Sequence, residues 1–340
     1  MTDDRALLRD TAAAVFSAWA ARGAAELPDD WDEALWLELE ELGFTLVGIS
    51  EEAGGSGGDL AASLDVVRAA SFVGAPIPVA TSALIAAWLL AEAGREIPTG
   101  VLAFLVIDKD MCPTVAADAV AFGRHARHIV VAKASAGSVL DLACVDRSVC
   151  AVEPGEDIAG EPSDRVEFPP SSLDFVSTSI PVAALQARFA IVSCAVISGL
   201  LDGALASSVT YATQRAQFGR PISRFQSVQA MLAELAGYAS AARVATETAI
   251  ALYASPSWEL ASFSAAAYAA EAAGPAAALA HQIHGAIGFT DEHPLGRLTR
   301  RLWAWRDVWG NERMWAERLG DQLMTPDTRL WDALATASGP

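Results

Sequence analysis

The sequence has 340 residues, a formal net charge of −19 and 53 % hydrophobic residues, with ten tryptophans among them. A chain of this length can form two or three domains around a sizeable core, and this composition excludes a disordered protein. The acidic total argues against nucleic acid or an anionic membrane as a general partner, whereas local arginine clusters remain compatible with an anionic small molecule.

Cysteine usage and the N-terminus indicate a cytoplasmic protein. Cys112, Cys144, Cys150 and Cys194 form no Cys-x-x-Cys pair and stand among apolar residues, a pattern typical of buried free thiols in a reducing compartment. The first five residues, Met-Thr-Asp-Asp-Arg, do not resemble a signal peptide, and no uninterrupted apolar run approaches membrane-spanning length. We therefore expect cytoplasmic localisation and no membrane partner.

Residues 1–98 predict an N-terminal helical domain. An amphipathic segment covers residues 3 to about 24, and Asp32 belongs to an acidic stretch placed to cap a second helix that Gly43 ends. A loop with four glycines between residues 50 and 59 separates this pair from two further helices, at about 60–73 and 80–93.

Residues 99–173 predict a small middle β domain. The run 101–107 is short, continuous and apolar, as expected for a buried strand. Shorter apolar runs separated by turns then recur, at 128–132, 139–145, 149–152 and 166–168. This rhythm indicates several short strands.

Residues 174–326 predict a C-terminal four-helix bundle, and residues 327–340 a tail. From about residue 179 the pattern is helical in three or four long segments, broken at Gly219, at Ser255-Pro256 and in the loop 285–294. The last helix interleaves arginine with tryptophan, which can indicate nucleic-acid binding, but the acidic total favours packing and ion pairing within an oligomer. The predicted fold is mainly α with a small middle β domain.

The segment Arg215-Ala-Gln-Phe-Gly-Arg-Pro-Ile222 interrupts this helical region. Gly219 permits unusual backbone dihedrals, and Pro221 disfavours helix at the preceding residue. The segment and its continuation carry three arginines, Arg215, Arg220 and Arg224. An exposed turn of this kind can bind a diphosphate, because guanidinium groups form paired hydrogen bonds with phosphate. A solvated turn without a ligand is the alternative.

Three segments together resemble the acyl-CoA dehydrogenase family. The stretch 215–222, followed by Gln226, resembles the family signature Arg-x-x-Phe-Gly-x-Pro-Ile with its later Gln. The stretch 282–290, Gln-Ile-His-Gly-Ala-Ile-Gly-Phe-Thr, is similar to a second family motif, in the right order and at about the right distance. Residues 49–57 resemble the family's Pro-Glu-Glu-x-Gly-Gly element. The resemblance is good over about 1–95 and 175–325 and poor between them.

The resemblance implies an enzyme that removes a proton and a hydride from neighbouring carbons of an acyl thioester, with FAD receiving the hydride. It also implies that the C-terminal bundle lends residues to the FAD of a neighbouring subunit. The candidate cofactor-binding residues in this sequence are Arg215, Phe218, Gln226, Gln282 and Gly285. The sequence departs from the family at Ala286, where a second glycine is usual.

Two further features of the resemblance concern the flavin ring and metals. In the family a Thr/Ser-Glu-Pro-x-x-Gly-Ser-Asp element holds the ring; no such element occurs between residues 100 and 127, and Cys112-Pro-Thr114 is the nearest polar turn. We therefore expect a shortened β domain that does not hold its own flavin ring. His281, His284 and His293 have no metal-ligand pattern around them, so no metal is expected, and His284 is expected to pack near the flavin interface.

The catalytic base is the decisive feature. The reaction needs a carboxylate to take the α-proton, and the family places that glutamate at one of two positions. By alignment these are Trp309 and Phe189, neither of which can accept a proton. Asp307 and Glu312 are the weak alternatives, and a helix through this region would direct both away from the position of Trp309.

Three hypotheses follow from this pattern. The first is a non-catalytic subunit that completes the FAD site of a catalytic acyl-CoA dehydrogenase partner, similar to the α2β2 assemblies of actinobacteria that handle bulky acyl-CoAs such as steroid degradation intermediates. The second is a self-sufficient homomeric enzyme with a relocated base. The third is a flavin-free structural or regulatory paralogue.

Overall fold

The described part of the N-terminal region contains the helices α1 (Thr2–Ala20), α2 (Glu33–Glu41), α3 (Leu60–Val73) and α4 (Val79–Glu92). The computed structural model describes residues 2–22, 28, 30–107, 115–290 and 293–324. The predicted cap of α2 is present, because Asp32 Oδ1 accepts from the Leu35 N–H at 2.9 Å and Oδ2 from the Trp19 indole N–H at 2.8 Å. Gly43, with a φ of 74°, ends this segment as predicted.

The middle of α4 departs from the regular α-helix that the sequence predicts. Residues Ser82–Ala87 form a π-helical segment, and all six are buried. Ser82 Oγ accepts a hydrogen bond of 2.9 Å from the Leu102 N–H at the start of the first strand. A hydropathy pattern cannot distinguish a π-helical turn from an α-helical one, since both bury the same apolar side chains.

In the described part of the middle region, the strands β1 to β7 form two sheets. The first sheet has the order β1-β3-β4-β7, and β1 and β3 are parallel while the other pairs are antiparallel. The second is antiparallel with the order β2-β6-β5. The strands are β1 (Leu102–Ile107), β2 (Val115–Ala121), β3 (His128–Ala134), β4 (Val139–Asp146), β5 (Ala151–Glu153), β6 (Ser163–Phe168) and β7 (Val176–Pro181).

Sequence patterns did not predict β2 and β7. Four of the seven residues in β2 are alanine, and β7 contains two serines and a threonine, so neither shows the apolar run that marks a strand. β7 pairs with β4 and lies beyond residue 173. The predicted domain boundaries themselves stay a prediction.

Helices form most of the C-terminal region. They are α5 (Val182–Gln214), α6 (Gln226–Ala251), α7 (Trp258–His284), α8 (Leu295–Asp307) and α9 (Glu312–Leu323), with a short hairpin of β8 (Ala216–Gln217) and β9 (Arg220–Pro221) after α5. The sequence analysis predicted one last helix. This prediction is wrong, because residues 308–311 separate α8 from α9. The sequence does contain a signal for this break, since Gly310 can end a helix and Asn311 caps the next one.

The chain forms two compact units, and the long helix α5 begins at their boundary. The first unit comprises Met1–Ala21, Leu27–Val67 and Ala75–Gln186, and the second comprises Arg22–Glu26, Arg68–Gly74 and Ala187–Pro340. By length and composition α5 could cross a membrane, but 78 % of its most apolar window is buried in the protein. This burial is that of a core helix.

Two glycines allow α5 to approach the end of α3 within the second unit. A Cβ at Gly199 would lie 2.6 Å from the Arg68 carbonyl oxygen, and one at Gly203 would lie closer still to the Phe72 carbonyl. Any larger residue at either position would push the two backbones apart. The mainly helical fold with a small β domain is therefore as predicted, whereas this close contact is not visible in the hydropathy pattern.

Candidate functional site

The first motif forms an exposed hairpin directly after α5. Ala216 pairs with Pro221 and Gln217 with Arg220, so Phe218 and Gly219 form a two-residue turn with φ angles of 50° and 78°. Positive φ at both central residues is typical of a tight hairpin turn, and Gly219 adopts it without steric cost. The Phe218 side chain is 92 % exposed at the tip.

The second motif ends α7 beside this hairpin. Gly285 has φ 66° and ψ −145°, a conformation that essentially only glycine adopts, and a Cβ built there would meet no atom within 4 Å. Gln282 lies one turn earlier, on the last turn of the helix. The main chain at Gly285 is therefore open to close approach by a ligand.

The two motifs line one open cleft of about 610 Å³. Arg215, Phe218, Gln282 and Gly285 are all on its wall, so the structure brings together four of the five candidate cofactor-binding residues. Gln226 does not line it: this residue is exposed at the start of α6, and its neighbours Ser227 and Val228 reach the cleft instead. Ala286 also lines the cleft.

Three histidines surround the second motif, and only the position of His284 was anticipated. The ring of His284 stacks on Tyr211 at 4.6 Å and lies 4.6 Å from the ring of His293, and its Nδ1 donates to the Ala280 carbonyl at 2.7 Å. His281 stacks on Phe289 at 4.2 Å, and its Nε2 lies 2.9 Å from Thr299 Oγ1. Burial lowers the pKa of all three histidines, and the charge of His284 lowers those of His281 and His293 further. No group of three potential metal ligands occurs among the described residues.

The two positions to which the sequence analysis assigned the family's base meet in space. The rings of Phe189, on α5, and Trp309, after α8, stack with centroids 4.7 Å apart and an angle of 21°. Trp305 adds an edge-on contact to Trp309 at 5.5 Å. Both rings of the stacked pair, hereafter the aromatic pair, are half-buried against a core that includes Phe263 and Trp315. Two aromatic side chains thus occupy the place where either alignment would put a carboxylate.

The turn that carries Trp309 is fixed at both ends. Arg306 binds Glu312 through two hydrogen bonds, one of them 2.9 Å long between Nε and Oε2. The Trp315 indole N–H donates to the Gly310 carbonyl at 2.8 Å, and Asn311 Oδ1 accepts from the Met314 N–H at 3.1 Å. Trp309 is therefore held against Phe189 by a pre-formed turn.

The two weak alternatives for a base do not share one helix. Asp307 is the exposed last residue of α8, and Glu312 is the first residue of α9. The hydrogen bonds from Arg306 lower the pKa of Glu312, so this carboxylate is ionised but already engaged. Cys194, further along α5 than Phe189, offers no base either, because burial raises the pKa of its thiol to about 12. A thiol with such a pKa stays protonated at neutral pH.

The family of this chain follows from comparison with known proteins. Residues 2–97 match the N-terminal domain of acyl-CoA dehydrogenases, and residues 183–323 match their C-terminal domain. The chain belongs to the acyl-CoA dehydrogenase family, which is FAD-dependent. It is similar to the acyl-CoA dehydrogenase IpdE2 of Mycobacterium tuberculosis, with 30 % identity over 305 residues that cover 86 % of this chain and 89 % of the relative.

Solved structures share the fold. One is the ChsE4-ChsE5 complex from Mycobacterium tuberculosis, with a TM-score of 0.85 and 21 % identity, covering 96 % of this chain and 99 % of the other. Another is a variant of the steroid acyl-CoA dehydrogenase Tcur3481-Tcur3483, with a TM-score of 0.78 and 22 % identity, covering 100 % and 99 %. Heteromeric complexes are therefore among the structural neighbours.

The cleft fits part of a flavin dinucleotide. It offers the exposed guanidinium of Arg215 for a diphosphate, the amide of Gln282, and main chain at Gly285 that a Cβ would otherwise cover. Residues 108–114, which include the polar turn 112–114 considered for the flavin ring, lie outside the described residues.

Proposed function

We propose that this chain is the non-catalytic subunit of a heteromeric FAD-dependent acyl-CoA dehydrogenase, a cytoplasmic α2β2 assembly with a catalytic partner. The observation that supports this most strongly is the aromatic pair, since a phenylalanine and a tryptophan at the two predicted base positions stack on each other. An aromatic pair cannot take a proton from the α-carbon of an acyl thioester. The partner would supply the base and most of the acyl-CoA site.

In this proposal the chain completes the FAD site of its partner. FAD, when bound, supplies the acceptor for the hydride. Arg215 would form charge-assisted hydrogen bonds with the diphosphate, and Gln282 and the main chain at Gly285 would bind beside it. Phe218 would cover the bound group from the hairpin tip, where its ring is otherwise exposed to water.

The proposal extends to the class of substrate on which this assembly acts. We propose a bulky acyl-CoA, such as one derived from a steroid, because a structural neighbour covering the whole chain is described as a steroid acyl-CoA dehydrogenase. The ChsE4-ChsE5 neighbour is a complex of two unlike chains by its name, which supports a heteromeric arrangement here.

Co-expression with the product of the neighbouring gene tests the proposal. The purified chain alone should be colourless, and the co-purified complex should show the absorbance of bound flavin. A yellow and active chain alone would favour a homomeric enzyme with a relocated base. A protein that stays colourless with every partner would favour a flavin-free scaffold.

A further inference from the structure

A histidine in the wall of the cleft takes no part in the function proposed above. His284 lines the cleft, as does Tyr211, and the two rings stack with centroids 4.6 Å apart. The ring of His293 meets His284 edge-on from the other side of the second motif at 4.6 Å. The Tyr211 carbonyl accepts from the Arg215 N–H at 2.8 Å. Tyr211 therefore links His284 to the arginine that would bind the diphosphate.

The hydrogen bonds of His284 define where a second proton can bind. Nδ1 lies 2.7 Å from the Ala280 carbonyl, which can only accept, so Nδ1 carries the proton of the neutral ring. Nε2 lies 3.5 Å from Ser207 Oγ, and a hydroxyl can either donate or accept. A proton added at Nε2 would reverse this hydrogen bond through rotation of the Ser207 hydroxyl alone. His284 can thus become a cation without leaving its place in the wall.

The described surroundings of His284 offer an imidazolium no counter-charge. Burial lowers the pKa of His284, although its hydrogen bond to the Ala280 carbonyl opposes this. The polar and titratable side chains that face the ring are neutral or can become cationic: Tyr211 and Ser207 on α5, His281 on α7 and His293 before α8. No carboxylate occurs among the described residues that line the cleft. An anion bound in the cleft would supply the missing charge.

The helix ends at the cleft make a second cation useful to such an anion. α5 ends directly before Arg215 and α7 ends at His284, and the last carbonyl groups of a helix carry partial negative charge. One helix, α6, has its favourable N-terminal end at the cleft, through Ser227 and Val228. Among the described lining residues, Arg215 is the side chain with a full positive charge at neutral pH. A diphosphate diester carries a negative charge on each phosphate, so Arg215 alone would neutralise it only partly.

We propose that His284 takes up a proton when a diphosphate binds in the cleft and then acts beside Arg215 as a second cation. This inference rests on the proposed role of the cleft in binding the diphosphate of FAD. A nearby negative charge favours the imidazolium, so the pKa of His284 is higher with the anion than without it. By linkage, the affinity for the diphosphate increases as the pH falls through the interval between these two pKa values, and it is constant on either side.

Binding of ADP-ribose to the full chain tests this, because the diphosphate of ADP-ribose is a diester whose charge does not change between pH 5.8 and pH 7.8. Ligand-observed NMR measures the dissociation constant at both pH values. Saturable binding is expected, tighter at pH 5.8 by about threefold or more, with a limit of about tenfold per pH unit for a single proton. Calorimetry in two buffers of different ionisation enthalpy should show net proton uptake on binding.

Variants assign the proton to His284. His284→Gln keeps a hydrogen-bonding side chain that cannot be protonated, so the ratio of its two dissociation constants should fall close to one. If this variant is unstable, His284→Phe serves instead, since a phenyl ring can still stack on Tyr211. The matched control is His128→Gln, which removes a half-buried histidine of β3 outside the cleft and should keep the parent's ratio. Arg215→Ala should weaken binding at both pH values.

The outcomes separate this inference from the proposed function. Absence of saturable binding by the parent would overturn both the inference and the proposed role of the cleft. Binding that Arg215→Ala weakens, but with equal affinity at the two pH values, would overturn the inference alone. The same holds if the parent's ratio persists in His284→Gln and His284→Phe, because the proton would then bind elsewhere.

Discussion

Trp309 is the residue on which the proposed non-catalytic role depends most. Its ring stacks on Phe189 and contacts the ring of Trp305 edge-on. On the proposed function, these rings fill space that a catalytic subunit would keep open for an acyl chain. The sequence analysis inferred aromatic side chains at both base positions from alignment. That the two rings stack on each other is a result of the structure, since the residues are far apart in the chain.

Trp309→Glu should therefore destabilise the protein without creating activity. The change removes an aromatic stack and places a carboxylate against the core around Phe263, and for a half-buried site we expect a loss of about 1–3 kcal/mol in the free energy of unfolding. Urea denaturation gives the value, with Trp309→Phe as a control that keeps an aromatic ring and should lose less. A Glu variant that melts like the parent and binds acyl-CoA would show that this region is open and solvated.

Arg215 is the residue on which the flavin proposal depends most. Arg215→Ala should remove a charge-assisted contact of about 1.5–3 kcal/mol, so the flavin content of the assembled complex should fall while the complex still forms. Absorbance of the gel-filtered complex measures both. Arg224→Ala is the matched control, since Arg224 is also exposed in this segment but does not line the cleft. Full flavin content in the Arg215 variant would make Arg215 a structural residue only.

Elements were predicted well wherever hydropathy marks them. The long core helix α5, the cap of α2 and the strand β1 follow from periodicity and from capping residues. The π-helical segment, the alanine-rich strand β2 and the close contact at Gly199 do not, because tertiary contacts rather than local pattern decide them. The same holds in the site: the family resemblance grouped Arg215 with Gly285, whereas of the three histidines that pack behind them only His284 was expected there.

These histidines should make the second motif sensitive to acid. The lowered pKa values of His281, His284 and His293 mean that the unfolded chain binds protons more readily than the folded one. Their contribution to stability is therefore complete above the ordinary histidine pKa of 6.5 and is lost progressively as the pH falls below it. No carboxylate among the described residues raises the pKa of these three histidines and so offsets the effect of burial.

The melting temperature of the parent should accordingly fall between pH 7.5 and pH 5.5. His284→Phe keeps a ring that can stack on Tyr211 but cannot be protonated, so its melting temperature should fall less over the same interval. The difference between the two slopes isolates His284, because the other titrating groups are common to both proteins. Parallel slopes would contradict the assignment of acid sensitivity to this cluster.

At the scale of the whole molecule, the chain combines an open cleft lined by two sequence motifs with aromatic side chains at both predicted base positions. A self-sufficient dehydrogenase needs a base in reach of the α-proton of its substrate. Among the described residues close in sequence to Trp309, the carboxylates are the exposed Asp307 and Glu312, which Arg306 already binds. The cleft formed by the two motifs, in contrast, keeps the arginine and the open glycine that a bound flavin would use. On the proposed function, aromatic rings at the predicted base positions together with this cleft are what a subunit that serves a partner's active site requires.

The purified chain should consequently show no acyl-CoA dehydrogenation by itself. With added FAD, an artificial electron acceptor and a range of acyl-CoAs, dye reduction should stay at the level of a protein-free control. The co-expressed complex should reduce the dye, and Trp309→Phe in this chain should leave that rate unchanged, because an aromatic ring still fills the position and the base belongs to the partner. Turnover by the chain alone would mean that a base has been relocated within it. A complex whose rate depended on Asp307 or Glu312 of this chain would point to the same conclusion and would identify the carboxylate responsible.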